Sequence, residues 1–425
     1  MTDTIFALSS GAPPAAIGVI RVSGPRARDA LQELAGRVPA PRRAALARLR
    51  DRQGAVIDEA LVLWLPGPGT ETGEDTVELQ CHGGRAVIAA VETALAALPG
   101  LRRAKPGEFT RRAFINGKID LAEAEGLADL LEAETELQRL SAMAMAGGAF
   151  SREVAAWREE LLSLSAAVEA VLDFADEDDV ATLPADFALK IAGLSNAIKA
   201  WLDRPRAELL KEGFRVVIAG PPNAGKSTLF NCLVEAEAAI ATPIAGTTRD
   251  VLTRPVAIAG VPFLFADTAG LHDTVDDVVE AIGIERALEA LDRADLVLWL
   301  GPEGTGPVGS WEIEAQTDKL GHISKLAPRH RISARTGEGI EGLRADLVER
   351  ASNALPRPGE AALNERQHDL LSDARSALEQ ASDQLDPLLI AESLRVARVA
   401  FDSLLGRTAT EDLLDTLFGR FCIGK

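Results

Sequence analysis

The sequence predicts a multidomain α/β protein, and three observations support that prediction. The chain has 425 residues, enough for about two to four domains with separate cores. Its first part alternates short apolar strand-like runs with helical stretches, which indicates a small α/β or α+β domain. Long helical patterns then flank a second α/β segment that contains a phosphate-binding loop, which indicates a helical domain with an insertion.

The phosphate-binding loop is the most specific motif. Residues 220–228 read GPPNAGKST and match the pattern GxxxxGK[ST] at every position. An apolar run at 214–219 predicts a buried strand before the loop, and residues 229–234 can begin a helix after it. Backbone N–H groups and the helix N-terminus favour phosphate, while Lys226 supplies a mobile positive charge and Ser227 a hydroxyl for Mg²⁺. Glycine-rich turns are common between strands and helices, but this combination predicts a nucleoside triphosphate site.

Composition narrows the function classes. The net charge of −19 argues against indiscriminate nucleic-acid binding by the whole surface. Cys81, Cys232 and Cys422 are far apart and form no CxxC pair, so neither a disulfide framework nor a zinc site is indicated. The absence of an 18-residue apolar window and of a leader-like N-terminus predicts a cytoplasmic chain with no membrane segment.

Basic residues are unevenly distributed and form two clusters, either of which can face phosphate locally. The first comprises Arg26, Arg28, Arg37, Arg42, Arg43, Arg48, Arg50 and Arg52. The second comprises Arg102, Arg103, Lys105, Arg111, Arg112 and Lys118. A charge cluster is more often a solvated face than a binding site, so the sequence alone does not choose between them.

Apolar periodicity places the helical segments on both sides of the insertion. Apolar residues recur at steps of three and four from Val154 to Val171, and again from Leu363 to Leu404. Residues 408–411 (TATE) fit a capping box for a last helix that ends near Gly419. We therefore predict four segments: an N-terminal domain at 1–118, a helical domain divided between 119–210 and 356–425, and an inserted Ras-like P-loop domain at 211–355.

The inserted segment carries further nucleotide-binding elements in the order that a GTPase requires. A strand at 261–266 leads into Asp267, Thr268, Ala269 and Gly270, a sequence suited to hold Mg²⁺ through water and to sense the γ-phosphate. Thr248 is placed to be the second hydroxyl ligand of Mg²⁺. A turn with Ser333 and Ala334 can contact the base. An ATPase shares the phosphate loop but not this ordered set, so the pattern favours a GTPase.

One part of the segment departs from the expected pattern. Residues 301–310 are too rich in Gly and Pro for the crossover helix that should follow the strand 296–300. The next strand, 311–314, is followed by AQTD instead of NKxD. Asp318 can still act as the guanine carboxylate, but the Asn and Lys are absent, which predicts a weakened base contact worth about 1–3 kcal/mol.

The chain resembles the MnmE family of tRNA-modifying GTPases, also called TrmE, over nearly its full length. The matching residues are 3–5 (DTI), 20–24 (IRVSG), 73–75 (GED), 78–80 (ELQ), 106–110 (PGEFT), 116–124 (NGKIDLAEA), 223–227 (NAGKS), 245–250 (AGTTRD) and 421–425 (FCIGK). The combination of these two ends with this GTPase core makes the resemblance highly specific.

The resemblance implies an N-terminal domain that dimerises and binds a formyl- or methylene-tetrahydrofolate. The matching positions are Arg21, Glu78, Lys118 and Lys425; the basic groups can hold the folate glutamate tail, and Glu78 can accept from pterin N–H groups. A surface ion pair is the commoner role of such residues. Cys422 matches the family's C-terminal cysteine, which by chemistry alone can equally be a reactive thiol or a small apolar residue.

The resemblance also implies a GTPase that K⁺ activates when two GTPase domains meet. Asn223, Thr242, Ile244 and Thr247 match the K⁺-binding positions. Glu280 matches the catalytic glutamate that orients water beside Lys226 and Thr248, with Asp276 and Asp277 as rivals in a loop that is one residue longer than usual. The implied nucleotide contacts are Asn223, Ala224, Gly225, Lys226, Ser227, Thr228, Thr242, Thr247, Thr248, Asp267, Thr268, Ala269, Gly270, Asp318, Ser333 and Ala334.

The implied activity is addition of a carboxymethylaminomethyl-type group to the wobble uridine of tRNA. By the same resemblance, a homodimer of the chain works with the FAD-dependent partner MnmG in a heterotetramer. GTP hydrolysis then drives opening and closing of the inserted domains. The alternative is a GTP-regulated assembly or binding factor with no direct role in modification.

Overall fold

The computed structural model describes residues 3–173, 182–235, 253–267 and 290–425. The chain divides into two compact units, one of Met1–Ala128 with Phe401–Lys425 and one of Asp129–Ala400. In the described ranges, no helix is both long and apolar enough to cross a membrane.

The first unit contains a six-stranded sheet with the order β3-β4-β5-β2-β1-β6. Its strands are β1 Thr4–Leu8, β2 Ile17–Ser23, β3 Ala45–Arg50, β4 Val56–Leu65, β5 Thr76–His82 and β6 Leu101–Arg103. All neighbours are antiparallel except β1 and β6. The helices α1 Ala27–Ala35 and α2 Arg85–Ala96 pack their apolar residues against the buried strand residues. The predicted mixture of strands and helices in this part of the chain is confirmed.

Three further helices complete the helical part of the first unit. They are α3 Glu108–Ile115, α4 Leu121–Glu132, which begins in this unit, and α13 Glu411–Gly419 near the end of the chain. Leu121 and Ala124 pack with Leu417 and Phe418 in one apolar cluster. The last helix ends where the sequence predicted, but the capping box was wrong because Thr410, not Thr408, accepts from the Leu413 N–H at 3.4 Å.

The second unit is mostly helical outside its own sheet. Its helices are α5 Glu136–Ala146, α6 Ala149–Asp173, α7 Phe187–Leu202, α8 Ala207–Glu212, α9 Lys226–Glu235, α10 Ile340–Ala354, α11 Glu365–Asp383 and α12 Pro387–Leu404, which ends in the first unit. The predicted apolar face of α6 is buried from Val154 to Val171. In α11, Leu371 and Leu378 are buried, whereas Leu370 is half-buried.

The sheet of the second unit has the order β12-β11-β10-β7-β9-β8. Its strands are β7 Phe214–Ala219, β8 Thr253–Ile258, β9 Val261–Asp267, β10 Leu296–Trp299, β11 Trp311–Glu314 and β12 His330–Arg331. Every neighbouring pair is parallel except β8 and β9. Because β7, β9 and β10 are buried on both sides, they are continuous apolar runs, as expected for parallel strands.

Two connections in this sheet contain no helix. Residues 301–310 form turns, as their Gly and Pro content predicted, and residues 315–329 are also without a helix. Lys325 lies in the second connection with a fully buried side chain, and its Nζ donates to the Trp299 carbonyl at 2.7 Å and to Glu312 at 2.5 Å. Glu312 also accepts from the Gly304 N–H at 3.0 Å. A buried ion pair therefore ties both connections to the sheet.

We predict that Lys325→Ala destabilises the second unit by about 3 kcal/mol, because it leaves the Glu312 carboxylate without its buried partner. Urea unfolding followed by tryptophan fluorescence measures the effect, since Trp299 and Trp311 flank this network. Lys319→Ala is the control, because Lys319 is exposed in the same connection and should change stability by no more than about 0.5 kcal/mol. Equal midpoints for the two variants would contradict the prediction.

Candidate functional site

The phosphate-binding loop connects β7 to α9, as the sequence predicted. Gly220 and Gly225 have φ of +152° and +94°, which are backbone conformations that residues other than glycine rarely adopt. A Cβ on Gly220 would lie 3.1 Å from the Gly301 N, so the loop also runs close to the neighbouring backbone. Ser227 and Thr228 are exposed in the first turn of α9. The loop therefore presents backbone N–H groups and hydroxyls at a helix N-terminus, a geometry that fits phosphate.

Lys226 is held inside this loop. Its Nζ donates to the carbonyls of Gly220 and Pro221, both at 2.9 Å, and the residue is only 5% exposed. Burial lowers the pKa of the Lys226 ammonium, and the Asp267 carboxylate opposes this shift. Arriving phosphate oxygens can replace the two carbonyls as acceptors without moving the lysine far. The lysine is therefore positioned for an anion in the loop.

The parallel strands bring the separate motifs to one edge of the sheet. Asp267 ends β9 and lies in register with Ile218 of β7, directly before the phosphate-binding loop. Its side chain is buried, at 2% exposure. On the other side of β7, the Leu300 N–H donates to the Ala219 carbonyl at 2.8 Å. This arrangement places a buried carboxylate at the sheet edge where the phosphate-binding loop begins, and carboxylate and hydroxyl oxygens are donors that suit Mg²⁺.

The residues expected at the base also meet at this edge. Ser333 is fully buried, and its hydroxyl donates to Asp318 Oδ1 at 2.7 Å. The other carboxylate oxygen of Asp318 lies 2.8 Å from Arg335 Nε. The hydrogen bond from Ser333 is the main cause that lowers the pKa of Asp318, so this carboxyl is held ionised. Asp318 can accept from two guanine N–H groups once Arg335, which is exposed, moves aside.

Sequence reasoning missed the role of Gln316 in this turn. The Gln316 backbone is left-handed, with φ of +59°, and its side chain Nε2 donates to the Asn223 carbonyl at 3.2 Å. A Cβ on Gly225 would lie 2.9 Å from the same Nε2, so the amide lies directly on the phosphate-binding loop. The sequence AQTD in place of NKxD therefore does more than remove contacts, because the side-chain amide of Gln316 donates a hydrogen bond to the phosphate-binding loop.

Several of the predicted site residues lie outside the described residues. They are Thr242, Ile244, Thr247, Thr248, Thr268, Ala269, Gly270 and Glu280, together with the rivals Asp276 and Asp277. Of the predicted K⁺ positions, the structure describes Asn223, which is exposed and has φ of +62°. Asparagine tolerates this backbone region better than most residues, which by itself accounts for its presence in the loop. In the described ranges, no group of His, Cys, Asp or Glu side chains is arranged to hold a metal ion.

The residues predicted to bind folate lie together in the first unit. Arg21 pairs with Glu78 at 2.9 Å and with Glu71 at 2.5 Å, and its guanidinium lies 6.0 Å from the Phe109 ring centroid. The side chains of Arg21 and Glu78 are 18% and 20% exposed. The two residues therefore form an ion pair with each other, at a site that a ligand can still reach.

Lys118 and Lys425 each lie next to a segment that contacts Arg21. A Cβ on Gly73 would lie 3.0 Å from Lys118 Cε, which places this lysine against the loop that also carries Glu71. The Lys425 carbonyl accepts from the Phe109 N–H at 3.2 Å, so the terminal residue lies beside the aromatic ring near Arg21. Cys422 is exposed, which is inconsistent with a purely apolar core residue.

Two family models match the chain. The model described as "GTP-binding protein TrmE N-terminus" matches residues 4–118, and the model described as "MnmE helical domain" matches residues 121–422. Among solved structures, the chain is similar to Era in complex with MgGDPNP and part of 16S ribosomal RNA, with 23% identity over 41% of this chain and 69% of that chain. The TM-score of 0.25 is too low to support a conclusion.

Curated relatives match over the whole chain. The chain is 63% identical to the tRNA modification GTPase MnmE of Erythrobacter litoralis over 423 residues, which cover 100% of both chains. It is also 63% identical to the MnmE of Novosphingobium aromaticivorans over 437 aligned residues, again covering 100% of both. The relative from Rhizorhabdus wittichii is 57% identical over 100% of this chain and 97% of its own length. The chain therefore belongs to the MnmE family of tRNA modification GTPases.

Proposed function

We propose that the chain binds GTP with Mg²⁺ at residues 220–228 and hydrolyses it during the modification of tRNA. The observation that carries this proposal is the buried Lys226, whose ammonium is held by two loop carbonyls at the edge where Asp267 and Asp318 also lie. Ser227 and Thr248 would supply the hydroxyl ligands of Mg²⁺, and Asp267 would hold it through water. The bound metal supplies charge stabilisation at the phosphate oxygens.

We further propose that GTP hydrolysis by this chain depends on K⁺. Asn223 would contribute its side-chain oxygen, and Thr242, Ile244 and Thr247, which lie outside the described residues, would complete the K⁺ site. The position of Asn223 supports this, because Gln316 fixes its carbonyl and leaves its side chain exposed. Glu280 would orient the attacking water, and K⁺ held by these four residues would supply the charge that other GTPases obtain from an arginine.

For the modification itself, we propose that a one-carbon unit comes from formyl- or methylene-tetrahydrofolate bound at Arg21, Glu78, Lys118 and Lys425. The Arg21–Glu78 pair, whose side chains are partly exposed, supports a ligand that carries both an anionic group and N–H donors. In this proposal the chain acts in the cytoplasm as a homodimer with an FAD-dependent partner, MnmG, and adds a carboxymethylaminomethyl-type group to wobble uridine. We further propose that the chain comprises an N-terminal domain at 1–118, a helical domain at 119–210 and 356–425, and an inserted GTPase domain at 211–355.

We predict that the chain restores modified wobble uridine in a bacterial strain that lacks its own member of this family. The expected result is recovery of the modified nucleoside in mass spectra of digested tRNA, because the nucleotide and one-carbon sites act in the same protein. Lys226→Ala is the control, since it removes the positive charge from the phosphate loop and should leave the uridines unmodified. Unmodified uridines with the intact chain, together with normal GTP hydrolysis, would favour an assembly factor.

We predict that GTP hydrolysis is roughly tenfold or more faster in KCl than in NaCl at equal ionic strength, because K⁺ provides charge at the phosphates. Phosphate release at saturating GTP is the measurement. Asn223→Ala should remove most of the difference, whereas the control Asn353→Ala, at an exposed asparagine on α10, should keep it. Equal rates of the unmodified chain in the two salts would exclude the proposed K⁺ site.

We predict that Asp318→Asn weakens GTP binding by about 1.5–3 kcal/mol, because guanine loses a charged hydrogen-bond acceptor. XTP should gain affinity in the same variant, since xanthine carries a carbonyl where guanine carries an amino group. Competition of GTP, ATP and XTP for a fluorescent nucleotide on the full chain measures both changes. Asp373→Asn is the matched control at an exposed aspartate of α11. An unchanged preference for GTP would show that the guanine contact lies elsewhere.

A further inference from the structure

The two basic clusters of the sequence differ in how their charges are neutralised. In the second cluster, four arginines pair with carboxylates from distant parts of the first unit. These pairs are Arg102 with Asp3 and Glu108, Arg103 with Glu92, Arg111 with Glu411 and Asp415, and Arg112 with Asp3, Glu74 and Glu108. Arg112 is fully buried at the centre of this network. These arginines hold the first unit together and have little free charge to offer a ligand.

Most of the first cluster follows one edge of the sheet. The strand β3 is the edge strand, and its outward positions carry Arg48 and Arg50, about 6.8 Å apart along the strand. Arg52 follows in the turn to β4. Arg42 precedes β3 and continues the same edge, because its N–H donates to the Trp64 carbonyl at 2.8 Å. We call six residues the edge arginines: Arg37, Arg42, Arg43, Arg48, Arg50 and Arg52.

Three of the six edge arginines donate to neutral carbonyls. Arg37 donates to the Leu46 carbonyl at 2.5 Å, Arg42 to the Gly69 carbonyl at 2.6 Å and Arg50 to the Gly54 carbonyl at 2.8 Å. All six residues are exposed. A carbonyl orients a guanidinium but does not cancel its charge. The edge therefore holds oriented positive charge in contact with solvent.

Three acidic residues lie along the same hairpin, and none of them removes this charge. Asp51 caps the turn by accepting from the Gln53 and Ala55 N–H groups, and Asp58 is paired with His82. Glu59 pairs with Arg48 at 3.5 Å, but both side chains are more than half exposed, which makes the pair weak. Of the six arginines, Arg48 alone has a carboxylate within ion-pair distance in the described ranges. Residues 37–59 carry six positive and three negative side chains in a chain of net charge −19.

We propose that the edge arginines bind the sugar–phosphate backbone of the tRNA, an inference that rests on the proposed function. Guanidinium groups donate two parallel hydrogen bonds to phosphate, and a row of them along a strand matches a polyanion better than a single ligand. The strongly acidic remainder of the chain then repels RNA elsewhere and directs it to this edge. Arg42 has a left-handed backbone, with φ of +58°, and two hydrogen bonds fix its direction.

Charged residues on an edge strand can also serve only to prevent sheets from pairing between molecules. Replacing arginine with glutamate separates the two roles, because glutamate keeps the edge charged while it repels phosphate. The edge variant is Arg48→Glu/Arg50→Glu/Arg52→Glu in the full chain. The control variant, Arg139→Glu/Lys190→Glu/Arg395→Glu, has the same change in net charge at exposed basic residues that already pair with Glu136, Asp186 and Glu392.

The experiment measures binding of an unmodified tRNA transcript by fluorescence anisotropy between 50 and 200 mM KCl. We expect the edge variant to bind at least tenfold more weakly at 50 mM. The slope of log K against log[KCl] should fall by about 2–3, since each lost phosphate contact removes about 0.7–0.9. The control variant should keep the slope of the unmodified chain. Circular dichroism and GTP hydrolysis check folding, and Arg52→Glu alone, in the turn, replaces the triple variant if that variant does not fold.

Nucleoside analysis in the complemented strain distinguishes the possible failures. If the unmodified chain restores modified uridine but the edge variant binds tRNA as tightly as the control, the edge is not the RNA surface and the proposed function stands. An edge variant that binds tRNA normally but aggregates, or no longer binds an acidic protein or anionic vesicles, would also overturn the inference. If the unmodified chain restores no modification, the proposed function itself fails.

Discussion

The parallel pairing of Phe214–Ala219 with Val261–Asp267 and Leu296–Trp299 is the constraint on which the nucleotide site depends. Parallel strands end at the same edge of a sheet, so motifs separated by up to about a hundred residues come together there. The phosphate-binding loop follows β7, Asp267 ends β9, and the turn at Asp318 follows β11, which is the neighbour of β10. Their distances are therefore set by hydrogen bonds between strands rather than by the loops that carry the side chains.

Lys226 shows how this edge prepares for an anion. The ammonium group is taken out of water, which disfavours its charge, and two backbone carbonyls replace only part of the lost hydration. Phosphate oxygens carry the negative charge that the carbonyls lack, so binding them relieves the cost of burying the lysine. Burial of Lys226 therefore raises the free energy of the loop without phosphate and increases the free energy gained when phosphate binds.

How far the sequence predicts this structure depends on the range of each interaction. The phosphate loop and the buried face of α6 could be predicted because each depends on contiguous residues with a fixed period. The contact of Gln316 with Asn223 joins residues 93 positions apart, and no local pattern encodes it. The two basic clusters look alike in sequence for the same reason. Only folding brings Asp3, Glu92 and Glu411 to the second cluster and leaves five of the six edge arginines with no carboxylate within ion-pair distance in the described part of the chain.

The connections between β10, β11 and β12 contain no helix, and hydrogen-bonded charged residues take its place. Where an apolar helix would cover the sheet, Lys325 reaches under the connections to Glu312, and His322 Nε2 donates to the Glu314 carboxylate at 2.8 Å. His322 also contacts the Lys319 carbonyl, one residue after Asp318. Charge-assisted hydrogen bonds are directional, whereas apolar packing is not, so a short connection held this way can still orient a turn. Gln316 then links that turn to the phosphate loop, which couples the position of Asp318 to the backbone of Asn223. The phosphate-binding loop and the turn at Asp318 therefore belong to one continuous framework of hydrogen bonds.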